Sequence, residues 1–141
     1  MTNLSPTLDI VYRVSLHSIW FMKKILVIED ERMMLKILEF RLKKEGYEVL
    51  IAADGKTGLS MIASELPDLI LTDIMMPYVS GLEIINHVRN VLQKNTPIII
   101  LSAVGLEKTV VEAFSLGADD FISKPFSPEE LSIRVRKYLR R

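Results

Sequence analysis

Apolar residues fall along this chain in two alternating rhythms. Lys24–Ile28 is an apolar, β-branched run that stops at Glu29 and Asp30. From Arg32 to Glu45 the spacing becomes three and four, with Leu35, Leu38 and Leu42 in step, which predicts an amphipathic helix. Gly46 suits the left-handed residue that closes such a helix. Tyr47–Ile51 reads as a strand. Gly55–Leu66 reads as a helix with Leu59, Ile62, Ala63 and Leu66 on one face, stopped by Pro67. Leu69–Thr72 is a third strand. Gly81 precedes a helix carrying Leu82, Ile85, Val88 and Leu92, and residues 98–101 after Pro97 form a fourth strand. A helix over 106–116 stops at Gly117, and Phe121-Ile122 is a short fifth strand. Ser127, Pro128 and Glu130 are the N-cap, N1 and N3 residues of a capping box that opens the last helix.

Five strands thus alternate with five helices. Several strands are apolar without a break, as strands covered on both faces are. The pattern predicts an α/β fold, an open parallel sheet with right-handed crossovers and helices on both sides. No repeat, low-complexity segment or interdomain linker interrupts it, and 141 residues suit one domain.

The composition narrows the function by exclusion. Lys plus Arg and Asp plus Glu are both 18, so no overall basic field favours nucleic acid or an anionic membrane. The chain has no cysteine, which excludes disulfides, thiolate chemistry and cysteine-based zinc sites and fits a cytoplasmic protein. No apolar run approaches the roughly 18 residues of a membrane span. Residues 1–21 lack a basic start and a small-residue cleavage site, and Arg13 interrupts their apolar part, unlike a secretory signal. They read as an appended tail before a domain that begins naturally at Met22, or as a short helix packed on it. His17 in this segment and His87 in a polar helical stretch read as structural.

The chemistry-bearing residues cluster by position. In open α/β sheets ligands gather at the carboxyl ends of the strands. Here Glu29 and Asp30 follow the first strand, Asp73 the third, Ser102 the fourth and Lys124 the fifth. Singly, each has an ordinary explanation: a helix N-terminus, a turn, a strand-end hydroxyl, a surface charge. Together they converge on one rim. Three carboxylates repel one another unless a cation compensates, and Mg2+ takes such hard oxygen ligands. Lys124 adds a second positive charge and Ser102 a hydroxyl donor. The set suits an incoming phosphoryl group, with Asp73, the central carboxylate, as nucleophile.

With these residues in view, the chain from about Met22 to Arg141 resembles the receiver domain of two-component response regulators. The matching stretches are ILVIEDE (25–31), PDLILTDIMMP (67–77) with Gly81, PIIILSA (97–103) and GADDFISKPFSPEEL (117–131). The separations of 29 residues from Asp73 to Ser102 and 22 from Ser102 to Lys124 also fit. The resemblance implies a flavodoxin-like sheet of strand order 2-1-3-4-5. It implies Asp73 as phosphoacceptor, with Asp30, Asp73 and the backbone carbonyl of Met75 as Mg2+ ligands. Glu29 stands where the family often has Asp and would act through a water. It implies Lys124 as the phosphate-binding lysine, before a cis bond to Pro125, and Ser102 and Phe121 as the switch pair. Phe121 stands where the family often has Tyr.

The implied phosphodonor is a phosphohistidine on a sensor histidine kinase or a phosphotransfer protein. Such a domain catalyses only its own phosphorylation and dephosphorylation. The GADDFISKPFSPEEL stretch is closest to receivers joined to winged-helix DNA-binding domains, although no nucleic acid contact can be assigned to this chain. The resemblance implies a weak homodimer through the fourth helix, fifth strand and fifth helix, in which Asp119, Asp120 and Glu130 meet Arg134, Arg136 and Lys137 of a second copy. The plainer expectation is that these charges pair within one chain. A stand-alone docking or phosphorelay receiver is the alternative. A phosphatase forming an aspartyl phosphate is weaker, because Met75 stands where such enzymes place an acid/base Asp. A nucleotide or flavin module would want glycines where EDERMML (29–35) stands.

Overall fold

β1 (Lys24–Ile28) and β3 (Leu69–Asp73) form the middle of a five-stranded sheet whose interior residues are almost all buried. The computed structural model describes residues 22–140. β2 (Glu48–Ala52) flanks β1, and β4 (Ile98–Ala103) and β5 (Asp120–Lys124) complete the parallel order β2-β1-β3-β4-β5. The helices are α1 (Arg32–Lys44), α2 (Gly55–Glu65), α3 (Gly81–Asn86, continued by a π-helical turn His87–Val91), α4 (Glu107–Leu116) and α5 (Pro128–Leu139). The tail of residues 1–21, with His17, lies outside the described residues.

The sheet separates two apolar clusters, because successive side chains of a strand point to opposite faces. Leu26, Ile28, Ile70, Ile98 and Ile100 face one cluster with α2, α3 and α4. Ile25, Val27, Leu69, Leu71, Ile99 and Leu101 face the other with α1 and α5. The predicted α1 face, Leu35, Leu38 and Leu42, is buried there.

Gly46 ends α1 as expected. Its φ is +94°, its N–H donates to the Lys43 carbonyl at 3.0 Å, and the Tyr47 N–H donates to Leu42 at 3.3 Å. This is the paired closure of a Schellman motif, with Tyr47 packing on the same cluster as Leu42. It also moves the start of β2 from Tyr47 to Glu48.

Four expectations need correction. α2 does not bury Ala63, and Leu66 is 59% exposed. Leu66 precedes Pro67, which bars the right-handed helical region, and it caps the helix at φ +49°. Of the expected face, Ile62 is buried and Leu59 packs against the same cluster, and Gly55 and Gly58 are the other buried residues of α2. β4 and β5 are longer than their apolar cores, since backbone pairing runs on to Ala103 and Lys124. The third helix widens at His87–Val91, where the Leu92 N–H reaches back five residues to the His87 carbonyl at 2.9 Å. Finally, only half of the capping box forms. Ser127 Oγ accepts from the Glu130 N–H at 3.1 Å, but the Glu130 carboxylate turns to Arg134.

The wide turn has a structural correlate. Arg89 lies within it, and its guanidinium donates to the Gly117 carbonyl at 3.0 Å, the Lys94 carbonyl at 2.8 Å and Asp119 Oδ2 at 2.9 Å. Asp119 Oδ2 also accepts from the Ile98 N–H at 2.8 Å. One side chain ties together α3, the entry of β4 and the α4–β5 turn.

Candidate functional site

Strand register brings the first two carboxylates together. Ile28 is opposite Thr72, so the next residues along the chain are Glu29 and Asp73. The Glu29 N–H continues the ladder to the Ala52 carbonyl at 3.1 Å, which holds Glu29 in the sheet with its side chain 1% exposed. Asp73 is opposite Leu101, and the chain then folds back as the Gly81 N–H donates to the Ile74 carbonyl at 2.9 Å. Asp30 is exposed and precedes the N-cap of α1, Glu31, whose side chain makes no capping bond. Glu29 and Asp30 therefore do not serve as the helix cap. Oxygens of Glu29, Asp30 and Asp73 all lie within 4.8 Å of one another.

Alternation decides which residues join them. Ile122 faces the α1/α5 cluster, and so two residues on does Lys124, the side of Ile25, Val27, Leu69 and Leu71. Lys124 Nζ donates to Glu29 Oε2 at 3.0 Å and lies 3.4 Å from Asp73 Oδ2. The Lys124–Pro125 bond is cis. Ser102 follows the opposite alternation. It is buried on the α4 side, where its hydroxyl donates to the Ala103 carbonyl at 3.2 Å. Phe121 shares that side and is 38% exposed. Ser102, Phe121 and Ser123 line a groove of about 380 Å³ between β4, β5 and α4. The expected rim is thus two adjoining half-sites: Glu29, Asp30, Asp73 and Lys124 on one side, Ser102 and Phe121 on the other.

The charges are not balanced. Three carboxylates face one ammonium, which leaves two negative charges if all are ionised. Burial pushes the Asp73 carboxyl above the ordinary range, against the pull of Lys124 and the Met75 N–H at 3.4 Å. Burial, and then the charge of Asp73, likewise raises Glu29. Burial disfavours the Lys124 ammonium, but its hydrogen bond to Glu29 and the charges of Asp73 and Glu29 outweigh that and raise it. Hard oxygen donors with surplus negative charge fit a small divalent cation.

The family model for the response regulator receiver domain matches residues 25–136. The chain belongs to the response regulator receiver domain family. A protein of Chloroflexus aurantiacus J-10-fl, provisionally classed as a response regulator, is 36% identical over 85% of this chain and 99% of its own, with a TM-score of 0.79. The chemotaxis protein CheY4 of Vibrio cholerae is 31% identical over 83% of this chain and 98% of its own, with a TM-score of 0.77. NtrX of Brucella abortus is 29% identical and covers 84% of this chain, which corresponds to 27% of NtrX, with a TM-score of 0.78. Receiver domains bind Mg2+ through an acidic pocket and act as signalling phosphoacceptors, and this receiver has an acidic group of the right composition. Among its described residues no helix is long and apolar enough to cross a membrane.

Sequence reasoning missed two residues. Arg89 carries no motif, and only the tertiary fold shows it joining three segments. Phe114, an unremarked apolar residue of α4, stands edge-on to Phe121 with ring centroids 6.0 Å apart and planes at 88°.

Proposed function

We propose that this receiver, spanning residues 22–141, accepts a phosphoryl group on Asp73 from a phosphohistidine of a sensor histidine kinase or phosphotransfer protein. An Asp73 carboxylate oxygen attacks phosphorus in line. The P–N bond breaks, and the imidazole leaves with its electron pair. Glu29, Asp30, Asp73 and the Met75 carbonyl would hold Mg2+, which supplies positive charge for the phosphoryl oxygens. Lys124 stands 3.4 Å from Asp73 and can turn its ammonium from Glu29 to a phosphoryl oxygen. The Ser102 hydroxyl can leave the Ala103 carbonyl for another. Phe121 then moves into the groove that Ser102 borders, and the surface of α4, β5 and α5 changes.

The observation that carries this reading is Lys124 bridging Glu29 and Asp73 with Asp30 beside them. Incubation with Mg2+ and a small acyl phosphate is expected to add one phosphoryl group. Asp73→Asn is expected to abolish it, and Asp30→Asn to weaken Mg2+ binding at least tenfold. Full labelling of the Asp73→Asn variant would overturn the assignment.

The output is a change of surface read by another protein or by a weak homodimer. The salt bridges support the first. Arg134 pairs with Asp120 and Glu130, and Arg89 with Asp119, all within one chain. These acids are therefore already satisfied before a second copy arrives.

A further inference from the structure

We infer that Phe114 is a positioning residue for Phe121, its ring holding the switch aromatic at the mouth of the α4–β5 groove. The inference rests on the phosphoacceptor reading, in which Phe121 moves inward on phosphorylation. Phe121 lies on β5 and Phe114 on the last turn of α4, and they meet edge to face. A ring edge is positive and a ring face negative, so this geometry attracts beyond the area it covers. Both rings are about two-fifths exposed, Phe114 at 41% and Phe121 at 38%, so neither is fixed by burial alone. The groove that both rings help to line, together with Ser102, Val104, Val110 and Val111, holds about 380 Å³. An apolar cavity of about 150 Å³ already accepts a benzene ring. Space to move inward is therefore present, and the contact with Phe114 is what opposes the move.

Binding linkage gives the consequence a sign. If Phe114 stabilises the outward ring and the phosphoryl state favours the inward one, removing Phe114 must strengthen binding at Asp73. The mutual contact of an aromatic pair corresponds to a factor of about two to ten in an equilibrium constant. The probe is beryllium fluoride with Mg2+, a phosphoryl mimic, titrated calorimetrically into the full chain. Phe114→Leu keeps apolar bulk without a ring edge, Phe114→Ala removes both, and Phe114→Tyr keeps the ring. The Leu and Ala variants are expected to bind the mimic about two- to tenfold more tightly. The Phe121 ring resonances of the unliganded Leu variant are expected to move toward their liganded positions. The Tyr variant is expected to match the parent. Parental or weaker binding in the Leu variant overturns the inference, and so does an unmoved Phe121 resonance. If Phe114→Ala fails to fold, the Leu and Tyr pair still decides. If the parent itself fails to bind the mimic, the phosphoacceptor reading falls first and this inference falls with it; parental binding without the predicted gain removes the inference alone.

Discussion

Lys124 Nζ and Glu29 Oε2 lie 3.0 Å apart across 95 residues of sequence, joining the end of β5 to the end of β1. The lysine is thus already engaged before any phosphoryl group arrives. Lys124→Ala leaves a buried Glu29 without its cation, which is expected to cost about 3 kcal/mol of stability in chelator. Mg2+ should bind this variant as well as the parent or more tightly, since a competing positive charge is gone. Calorimetry in both conditions checks this, and loss of Mg2+ binding would contradict the role given to Lys124.

Gly81 sits where the chain doubles back beneath Asp73. A Cβ added there would lie 2.5 Å from the Asp73 carbonyl oxygen and 2.8 Å from Ile74 Cα. Both are backbone atoms and cannot turn aside. Gly81→Ala is expected to lower stability by about 1–3 kcal/mol and to slow phosphorylation by displacing Asp73. Urea unfolding with parallel labelling measures the two effects.

Asp54 caps α2 by accepting from the Thr57 N–H at 2.7 Å, and that bond holds its carboxyl below the ordinary range. A depressed carboxyl stabilises the fold above its unfolded pKa, and the contribution disappears as pH falls through the folded value. Asp54→Ala should therefore lower the melting temperature at pH 7. The gap between variant and parent should close below about pH 4.

Arg134 Nη1 reaches both Asp120 oxygens, at 2.9 and 3.1 Å. Arg134→Glu puts like charges there and is expected to cost about 1 kcal/mol, a surface-scale effect. Sedimentation of the free parent should show mainly monomer. The phosphoryl mimic should produce weak association, which the Glu variant reduces. Strong dimerisation of the free parent would show that the intrachain pairs open in solution.

Glu29, Asp30, Asp73, Ser102 and Lys124, the residues of the rim, all lie after Met22. A shortened chain beginning at Met22 is expected to fold and to take phosphoryl at a rate within about twofold of the parent, a surface-scale change in free energy. Aggregation or failure to label would make residues 1–21 part of the domain.

The features legible in the sequence are those that side chains announce. β1, β3 and β4 are covered on both faces, so their apolar runs are unbroken. α1 declares its face through three leucines and its end through Gly46. α2 is harder to read because its close contacts come from glycines. A Cβ on Gly58 would meet Ile28 Cδ1 at 2.6 Å, and the absence of a side chain leaves no apolar signal. The wide turn of α3 is a backbone event with no pattern of its own.

At the site, strand ends correctly mark Glu29, Asp73 and Lys124 as neighbours. They do not show that Ser102 and Phe121 stand on the other side. Period-two alternation contains that information once register is known, and register is set by pairing between distant strands. The Phe114–Phe121 pair is likewise a tertiary contact between a helix and a strand.

The sheet also acts as a partition. Residues alternating along β1 and β3 belong to different apolar compartments, with α4 packed in one and α1 and α5 in the other. Substitutions in the two compartments share few partners, so their effects on stability should add. Drift on one side can then retune a surface without forcing compensating change on the other.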